Sequence, residues 1–374
     1  MPTTKALCAS LAATALTFLY VLPAVPARAG ANSTRLDAVR TFADRVLEHG
    51  RDTYRETPTP LFVDGVNVDT LEPVRWIHKG EAWIPSNLAS QQNLLRTLVA
   101  LSRLTDDPRY REAAAAALRH HIEHLRMDCG LFQWGGHRLI DLASGRPRGE
   151  GGMPHELKFL AWTVDGLRAW ARHGYDPKTN IARPMWADGT DLTDHVIQRT
   201  GYYGQKGRVI RAGQAGPLLL WSYVLGYRLS GDEALWETAR AIARGNGLSD
   251  LGTTPGQGMK LDLKTGNSDP VALFAVLELC RASDDPAYLA LASRLGDNIV
   301  TQRFHNGFFL PSGSHKYANF NTVEPLALLA LEATLRGEPD LVPRWNSGRG
   351  FFHCPHDGHG RTTDQSVLWN ARRK

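Results

Sequence analysis

The sequence predicts an all-α protein whose helical hairpins close into an (α/α) toroid, or barrel, of about six or seven hairpins. Three observations support this fold class: apolar residues recur at helical spacing, a helix–turn–helix unit recurs along the chain, and long polar stretches separate these units. The chain has 374 residues, of which 43% are hydrophobic and 22% are charged. These fractions are typical of globular proteins and exclude general disorder.

Three segments predict the first helices. Apolar residues recur at helical spacing in 36–49 and again in 93–104. A third helix is predicted from about residue 109 to residue 125. Asp107 and Pro108 come directly before it, and these residue types are preferred at the N-cap and at the first helical position.

This helix–Asp/Pro–helix unit recurs along the chain. The equivalent positions are Pro108, Pro177, Glu233, Pro286 and Pro339. A spacing of this size holds two helices and two loops, and a single hairpin cannot bury its apolar face without stacked neighbours. Because the connecting stretches are long, the pattern favours a closed ring over an open solenoid. An irregular all-α domain is the alternative.

The N-terminal segment has the pattern of a signal peptide. Lys5 precedes the uncharged apolar stretch 6–24, and Ala27-Arg28-Ala29 matches a signal peptidase site. We therefore expect cleavage after Ala29, a single catalytic domain over 30–374, and a periplasmic or secreted protein without a stable membrane span. A membrane anchor is the alternative, since the apolar stretch approaches the length of a spanning helix. Cleavage would leave three cysteines, Cys129, Cys280 and Cys354, and three cysteines can form at most one disulfide.

Charge and motifs exclude several classes of function. The net charge is +5 and no run of Lys and Arg occurs, so the sequence does not indicate a nucleic-acid partner. The small positive excess fits an anionic substrate better than a cationic one. The chain contains no G-x-S-x-G elbow, no P-loop and no H-E-x-x-H motif.

Two polar stretches contain metal-binding and substrate-binding candidates. His137 and Glu156 carry ligands that suit a transition metal such as Mn, Ni or Zn. Ordinary polar loop residues are the alternative. The stretch 198–206 places two tyrosines beside cations, which suits a sugar acid because Arg binds carboxylates bidentately and Tyr offers a flat face and a hydroxyl. Its candidates are Arg199, Tyr202, Tyr203 and Lys206.

Two further stretches are predicted to complete a substrate-binding rim. Uncharged polar residues crowd a helix start in 86–93, and capping explains only one of them. We predict that the others hydrogen-bond sugar hydroxyls: Asn87, Gln91 and Gln92. The stretch 314–319 precedes a later apolar run and contributes His315 and Tyr317. Satisfied loop residues are the alternative in both cases.

Five stretches together resemble the polysaccharide lyase family 2 pectate lyases and their secreted relatives. They are LFVDGVNVDTLEPVRW (61–76), SNLASQQNLLRTLVALSRLTDDPRY (86–110), WGGHRLIDLASG (134–145), HELK (155–158) and RTGYYG (199–204). The resemblance implies an (α/α) barrel that cleaves pectate by β-elimination with a divalent transition metal of the Mn or Ni type. It therefore implies an acidic polysaccharide or oligosaccharide as the substrate.

The resemblance also implies roles for individual residues. His137 and Glu156 would be metal ligands, and Arg199 would be the Brønsted base. The family has His after this Arg, whereas Thr200 stands here, so the third ligand is missing. His155 and His195 are the nearest substitutes outside the motif. The residues proposed to bind carboxylates and sugar rings are Trp134, Arg138, Lys158, Tyr203 and Lys206.

If the metal is absent, Tyr202 or Tyr203 becomes a better base, because neighbouring cations favour a deprotonated tyrosine. Two other functions remain open. A glycoside hydrolase on the same scaffold would need two convergent carboxylates. The candidates for that pair are Asp64, Asp69, Asp141 and Glu156. A non-catalytic glycan-binding protein would need only an aromatic-lined groove.

Overall fold

The computed structural model describes residues 32–78, 81–124, 139–148, 164–184, 190–198 and 206–346. The first three helices within these residues coincide closely with the three predicted segments, and six further helices follow them. They are α1 (Asn32–His49), α2 (Gln92–Thr105), α3 (Pro108–His124), α4 (Val164–Gly174), α5 (Pro217–Ser230), α6 (Glu233–Gly245), α7 (Pro270–Ala282), α8 (Pro286–Arg303) and α9 (Glu324–Leu335).

Aspartate side chains fix where several helices begin. The Asp232 carboxylate accepts a hydrogen bond from the Leu235 N–H at 3.1 Å, and α6 begins one residue after Asp232. Asp285 accepts from the Ala287 N–H at 2.9 Å in front of α8. Each bond satisfies a backbone donor that has no partner inside the helix. The predicted helix starts at Pro108, Glu233 and Pro286 are thus confirmed.

The other two positions of the predicted repeat are wrong. Pro177 lies in the turn of a β-hairpin, where the Asp176 carboxylate accepts from the Lys178 N–H at 3.0 Å and from the Thr179 hydroxyl at 2.8 Å. Pro339 begins only a 3₁₀ turn, Pro339–Leu341. At Pro177 the reason is that Asp followed by Pro suits the first two positions of a β-turn as well as a helix start.

The helices form two layers around a ring. In the inner layer α2 contacts α9, α9 contacts α7, and α7 contacts α5. The outer helices α3, α1, α8 and α6 pack against α2, α9, α7 and α5 respectively, while α4 packs against α5 and α6. The helices α7 and α9 are buried along most of their length, as inner helices must be. The first described helix, α1, packs on the last two described helices, α8 and α9, so helices far apart in sequence are neighbours in the ring.

The all-α toroid is therefore confirmed, and the described residues contain four of its helix pairs. Small antiparallel sheets, which the sequence pattern did not predict, occupy the polar stretches between pairs. Their strands are β1 (Gly65–Asn67), β2 (Trp76–His78), β3 (Glu81–Trp83), β4 (Pro85–Ser86), β5 (Leu139–Asp141), β6 (Arg146–Arg148), β7 (Tyr175–Asp176), β8 (Ile181–Ala182), β9 (Gly213–Gln214), β10 (Ser249–Asp250), β11 (Lys260–Leu261), β12 (Phe304–His305), β13 (Phe308–Phe309) and β14 (Tyr317–Asn319).

The strand pairs are β1–β14, β2–β3, β10–β11 and β12–β13, and the three-stranded sheets are β4–β5–β6 and β7–β8–β9. The β1–β14 pair has a direct bearing on the site. Strand β1 precedes α2 and β14 precedes α9, so their pairing places the beginnings of two neighbouring inner helices at the same end of the ring.

A buried ion pair joins the first helix to the last. Arg35 of α1 is 3% exposed, and its Nη1 lies 3.3 Å from Glu332 Oε1 on α9, where Glu332 is fully buried. The same guanidinium contacts Asp297 of α8 at 2.7 Å. A Cβ at Gly296 would lie 3.2 Å from Arg35 Nε and 2.5 Å from a Leu331 methyl, so glycine is needed for this close approach. Burial raises the pKa of Glu332 more than Arg35 lowers it.

The predicted signal peptide, residues 1–29, lies outside the described residues and stays a prediction, as does the single domain over 30–374. In the described parts of the chain, no helix has both the length and the hydrophobicity that crossing a bilayer requires. Of the three cysteines expected in the mature chain, Cys280 is described. Its thiol is free, and burial raises its pKa to about 12.

Candidate functional site

The predicted site residues divide into two groups. Eight lie outside the described residues: Trp134, His137, Arg138, Glu156, Lys158, Arg199, Tyr202 and Tyr203. Six are described: Asn87, Gln91, Gln92, Lys206, His315 and Tyr317. The geometry of the second group shows how the polar stretches are held relative to one another.

The structure brings three of the polar stretches together. In the β1–β14 pair, Asn67 lies opposite Tyr317. The backbone N–H of Asn93, at the start of α2, donates to Asn321 Oδ1 at 2.7 Å, and the Asn93 amide donates to the Asn321 carbonyl at 3.0 Å. The stretches around residues 64, 90 and 318 therefore meet at the beginnings of α2 and α9.

A buried carboxylate lies where two of these stretches meet. Asp64 is 2% exposed, and its Oδ1 accepts from the Asn87 backbone N–H at 2.9 Å and from Gln91 Nε2 at 3.0 Å. The same Gln91 nitrogen donates to the Phe62 carbonyl at 2.8 Å. We call Asp64, Asn87 and Gln91 the Asp64 cluster. It links the stretch before β1 to the start of α2 through charge-assisted hydrogen bonds, which are the stronger kind.

The structure thus gives Gln91 a structural role that the sequence analysis did not foresee, and its contact with substrate stays a prediction.

Gln92 is half-buried and has different hydrogen-bond partners from Gln91. Its Nε2 donates to the Leu88 carbonyl at 2.9 Å, and its Oε1 accepts from Arg96 at 3.3 Å. Burial lowers the pKa of Arg96.

The second predicted rim segment is also held by local contacts. His315 is 3% exposed, and its Nδ1 lies 2.8 Å from the Ser312 hydroxyl. Tyr317 is half-buried, with Lys316 Nζ 6.0 Å from the centre of its ring. Contact of His315 and Tyr317 with substrate stays a prediction.

Asp141 holds a turn beside the stretch that contains His137 and Arg138. Leu139 is the first described residue after that stretch, and Ile140 pairs with Ser86 across β4 and β5. Asp141 Oδ1 accepts from the Ile84 N–H at 2.9 Å and from the Ala143 N–H at 3.2 Å. Asp141, like Asp64, is thus engaged in backbone hydrogen bonds, which makes it a poor candidate for a glycosidase acid.

The predicted base falls between two segments that are hydrogen-bonded to each other. Ile197 N–H donates to the Arg208 carbonyl at 2.9 Å, and Gly207 N–H donates to the Ile197 carbonyl at 2.8 Å. Lys206 is exposed, and His195 is half-buried in the adjoining turn. Among the described residues, no group of three His, Cys, Asp or Glu side chains could hold a metal ion.

Replacing Gln91 by alanine should lower the free energy of unfolding by about 2–3 kcal/mol, because the buried Phe62 carbonyl would lose this donor and the Asp64 carboxylate would keep only the Asn87 N–H of the two described donors. Urea unfolding measures this loss. Gln92→Ala is the matched control, because Gln92 is the next residue in the chain and its side-chain amide is only half-buried. This variant should lower the free energy of unfolding by less than about 1 kcal/mol. Equal losses for the two variants would show that the Asp64 cluster does not stabilise the fold as described.

Comparison with known proteins gives one extended match. A family model described as periplasmic pectate lyase matches residues 59–161 and 158–355. These residues include all five stretches on which the resemblance rests. A pectate disaccharide-lyase of Dickeya dadantii (strain 3937) is 28% identical over 207 residues, which are 55% of this chain. The match covers 36% of that relative, so the chain spans about a third of its length.

Two solved structures show weaker likeness. A family 76 glycoside hydrolase from a bovine Bacteroides thetaiotaomicron strain is 12% identical, with a TM-score of 0.38 over 81% of this chain and 77% of that one. A GH76 α-mannanase of Bacteroides thetaiotaomicron is 11% identical, with a TM-score of 0.30 over 82% and 86%.

Proposed function

The chain belongs to the periplasmic pectate lyase family, and we propose that it cleaves an acidic polysaccharide of the pectate type by β-elimination. The family match over residues 59–161 and 158–355 is the observation that carries this proposal. The membership confirms the predicted resemblance to polysaccharide lyases. The family's periplasmic description agrees with the predicted periplasmic or secreted location.

The proposed reaction sets the roles of the side chains. A base removes the C5 proton of the uronate, the C4–O bond breaks, and the leaving oxygen takes up a proton. Negative charge builds on the neighbouring carboxylate, so cations held against it stabilise the transition state. We propose that Arg199 is the base and that Arg138, Lys158 and Lys206 bind carboxylates.

Arg is an unusual base, because its pKa lies above about 12 and only its neutral form accepts a proton. Neighbouring positive charge favours that neutral form. Tyr202 is the alternative base. Trp134 and Tyr203 are proposed to pack against sugar rings, with Asn87, Gln91, Gln92, His315 and Tyr317 along the rim.

The described residues support this proposal because they hold polar stretches of the chain together. The Asp64 cluster and the β1–β14 pair join three polar stretches at the beginnings of two inner helices. Rigid supports of this kind keep a site in its productive geometry. The hydrolase alternative is weaker, because Asp64 and Asp141 both accept backbone hydrogen bonds and are almost fully buried.

Metal assistance is a separate proposal, with His137 and Glu156 as ligands for a divalent metal of the Mn or Ni type. Two ligands do not complete such a site, since Thr200 stands where the family has a third. The described residues contain no group of three such side chains that would form a separate metal site.

If the metal proposal is correct, dialysis against a chelator should lower the elimination rate at least about tenfold, and Mn or Ni, but not Ca, should restore it. His137→Ala should abolish that response. The measurement is the rate together with the bound metal content of the same sample. Full activity in metal-free protein would exclude metal assistance.

The function itself is tested with purified protein and polygalacturonate, followed by the ultraviolet absorbance of the 4,5-unsaturated product. A panel of other polyuronates identifies the preferred uronate, and a neutral galactan is the negative control. Absorbance that grows only with polyuronates supports a lyase. A flat trace with growing reducing ends would indicate a hydrolase, and binding without either signal would indicate a glycan-binding protein.

A further inference from the structure

A cavity of about 130 Å³ lies between α5, α7, α9 and the segment 342–345 that follows α9. It extends to Arg281 in the last turn of α7, whereas the Asp64 cluster lies before the first turn of α2. The cavity is therefore distinct from the Asp64 cluster. A cavity of about 150 Å³ takes a molecule the size of benzene, so this cavity has room for roughly one ring-sized group.

One wall of the cavity is aromatic and held in a fixed arrangement. The rings of Phe274 and Trp345 stack with centroids 5.2 Å apart and planes at 6°. Trp221 meets Trp345 edge-on at 4.9 Å. These contacts fix the rings before a ligand arrives, so binding against them orders little that is mobile.

The charged lining of the cavity is positive. Its acid, Glu278, is 8% exposed on its side chain and already pairs with Arg228 at 2.7 Å and with Arg281 at 2.8 Å. Arg344 also lines the cavity, is exposed, and forms no ion pair within the described parts of the chain. A carboxylate entering the cavity would therefore meet the guanidiniums of Arg281 and Arg344. The one acid in the lining, Glu278, would repel it little, because its charge is already balanced by two arginines.

We propose that this cavity is a second binding site for a uronate monosaccharide, with its carboxylate at Arg344 and Arg281 and its ring against the aromatic wall. The choice of a uronate rests on the proposed function, because a polyuronate lyase is surrounded by short uronates. The site itself rests on the lining residues alone.

Galacturonate tests the proposal, since a monosaccharide has no glycosidic bond to cleave and its binding is independent of turnover. Calorimetric titration should show saturable binding, at least about tenfold weaker for galactose, which lacks the carboxylate. Arg344→Ala should weaken galacturonate binding at least about tenfold. Arg111→Ala, an exposed arginine on α3, is the matched control and should leave binding unchanged.

Tryptophan fluorescence locates the ligand. Galacturonate should change the emission of the unmodified protein, and Trp221→Phe should remove much of that change. Equal affinity for galactose and galacturonate, or no effect of Arg344→Ala in a protein with an unchanged melting temperature, would overturn the proposal. Binding of galacturonate without any elimination product from polyuronates would support the cavity site and refute the lyase function. Elimination without binding in the cavity would support the lyase function and refute the cavity site.

Discussion

Replacing Arg35 by methionine should lower the free energy of unfolding by about 3–5 kcal/mol, the cost of leaving a buried charge without its partner. Glu332 is fully buried, and Arg35 is its hydrogen-bond donor within the described residues. Methionine keeps most of the side-chain volume, so the loss reports the charge and the hydrogen bonds. Denaturant unfolding at neutral pH is the measurement.

The double variant Arg35→Met/Glu332→Gln separates the charge from other effects. It should recover much of the lost stability, because glutamine carries no charge that needs a partner. Arg40→Met is the matched control on the same helix. Arg40 pairs with Asp37 at 3.1 Å in an exposed position, and such pairs contribute at most about 1 kcal/mol. A large loss for Arg40→Met, or no recovery in the double variant, would contradict the role given to the buried pair.

The pH dependence of stability gives an independent test of the same group. The pKa of Glu332 is raised because burial outweighs the attraction of Arg35, so the folded protein keeps this proton to a higher pH than the unfolded chain does. Its contribution to stability is present at low pH and is lost as the pH rises through the folded-state pKa. Glu332→Gln removes this titration. The variant should therefore gain stability relative to the unmodified protein between acidic and neutral pH, and a constant difference would contradict the raised pKa.

Replacing Arg199 by alanine should lower the rate of elimination by about 10²–10⁴-fold, the range that a positioned general base contributes. The measurement is the initial rate of product absorbance on polygalacturonate at saturating substrate. Tyr202→Phe distinguishes the two proposed bases. It should cost little if Arg199 removes the proton, and it should abolish the reaction if Tyr202 does.

Arg208→Ala is the matched control for this experiment. Arg208 is exposed in the segment that follows the tyrosine pair, and its backbone carbonyl is the atom that accepts a hydrogen bond from Ile197. Since alanine keeps that carbonyl, the variant should fold and turn over normally. If Arg208→Ala and Arg199→Ala lose the same activity, the loss reflects the general positive charge of the segment rather than a base.

Local sequence signals predicted the helices well because they act over a few residues. An aspartate at the N-cap bonds to the first turn of its own helix, as Asp232 and Asp285 do. The Asp176-Pro177 pair shows the limit of such signals. The same two residue types fit a hairpin turn, and the contacts beyond the turn decided between the two structures.

The sequence alone determined the fold class, the first three helices, the helix starts at Glu233 and Pro286, and the resemblance to pectate lyases, since all of these depend on residue types and spacing along the chain. Only the tertiary structure decided the Asp64 cluster, the buried Arg35–Glu332 pair and the two- and three-residue strands. Arg35 and Glu332 are separated by 297 residues, and no local pattern records which charges meet when a ring closes. The strands are too short for an alternating pattern, and their pairing depends on which inner helices lie side by side.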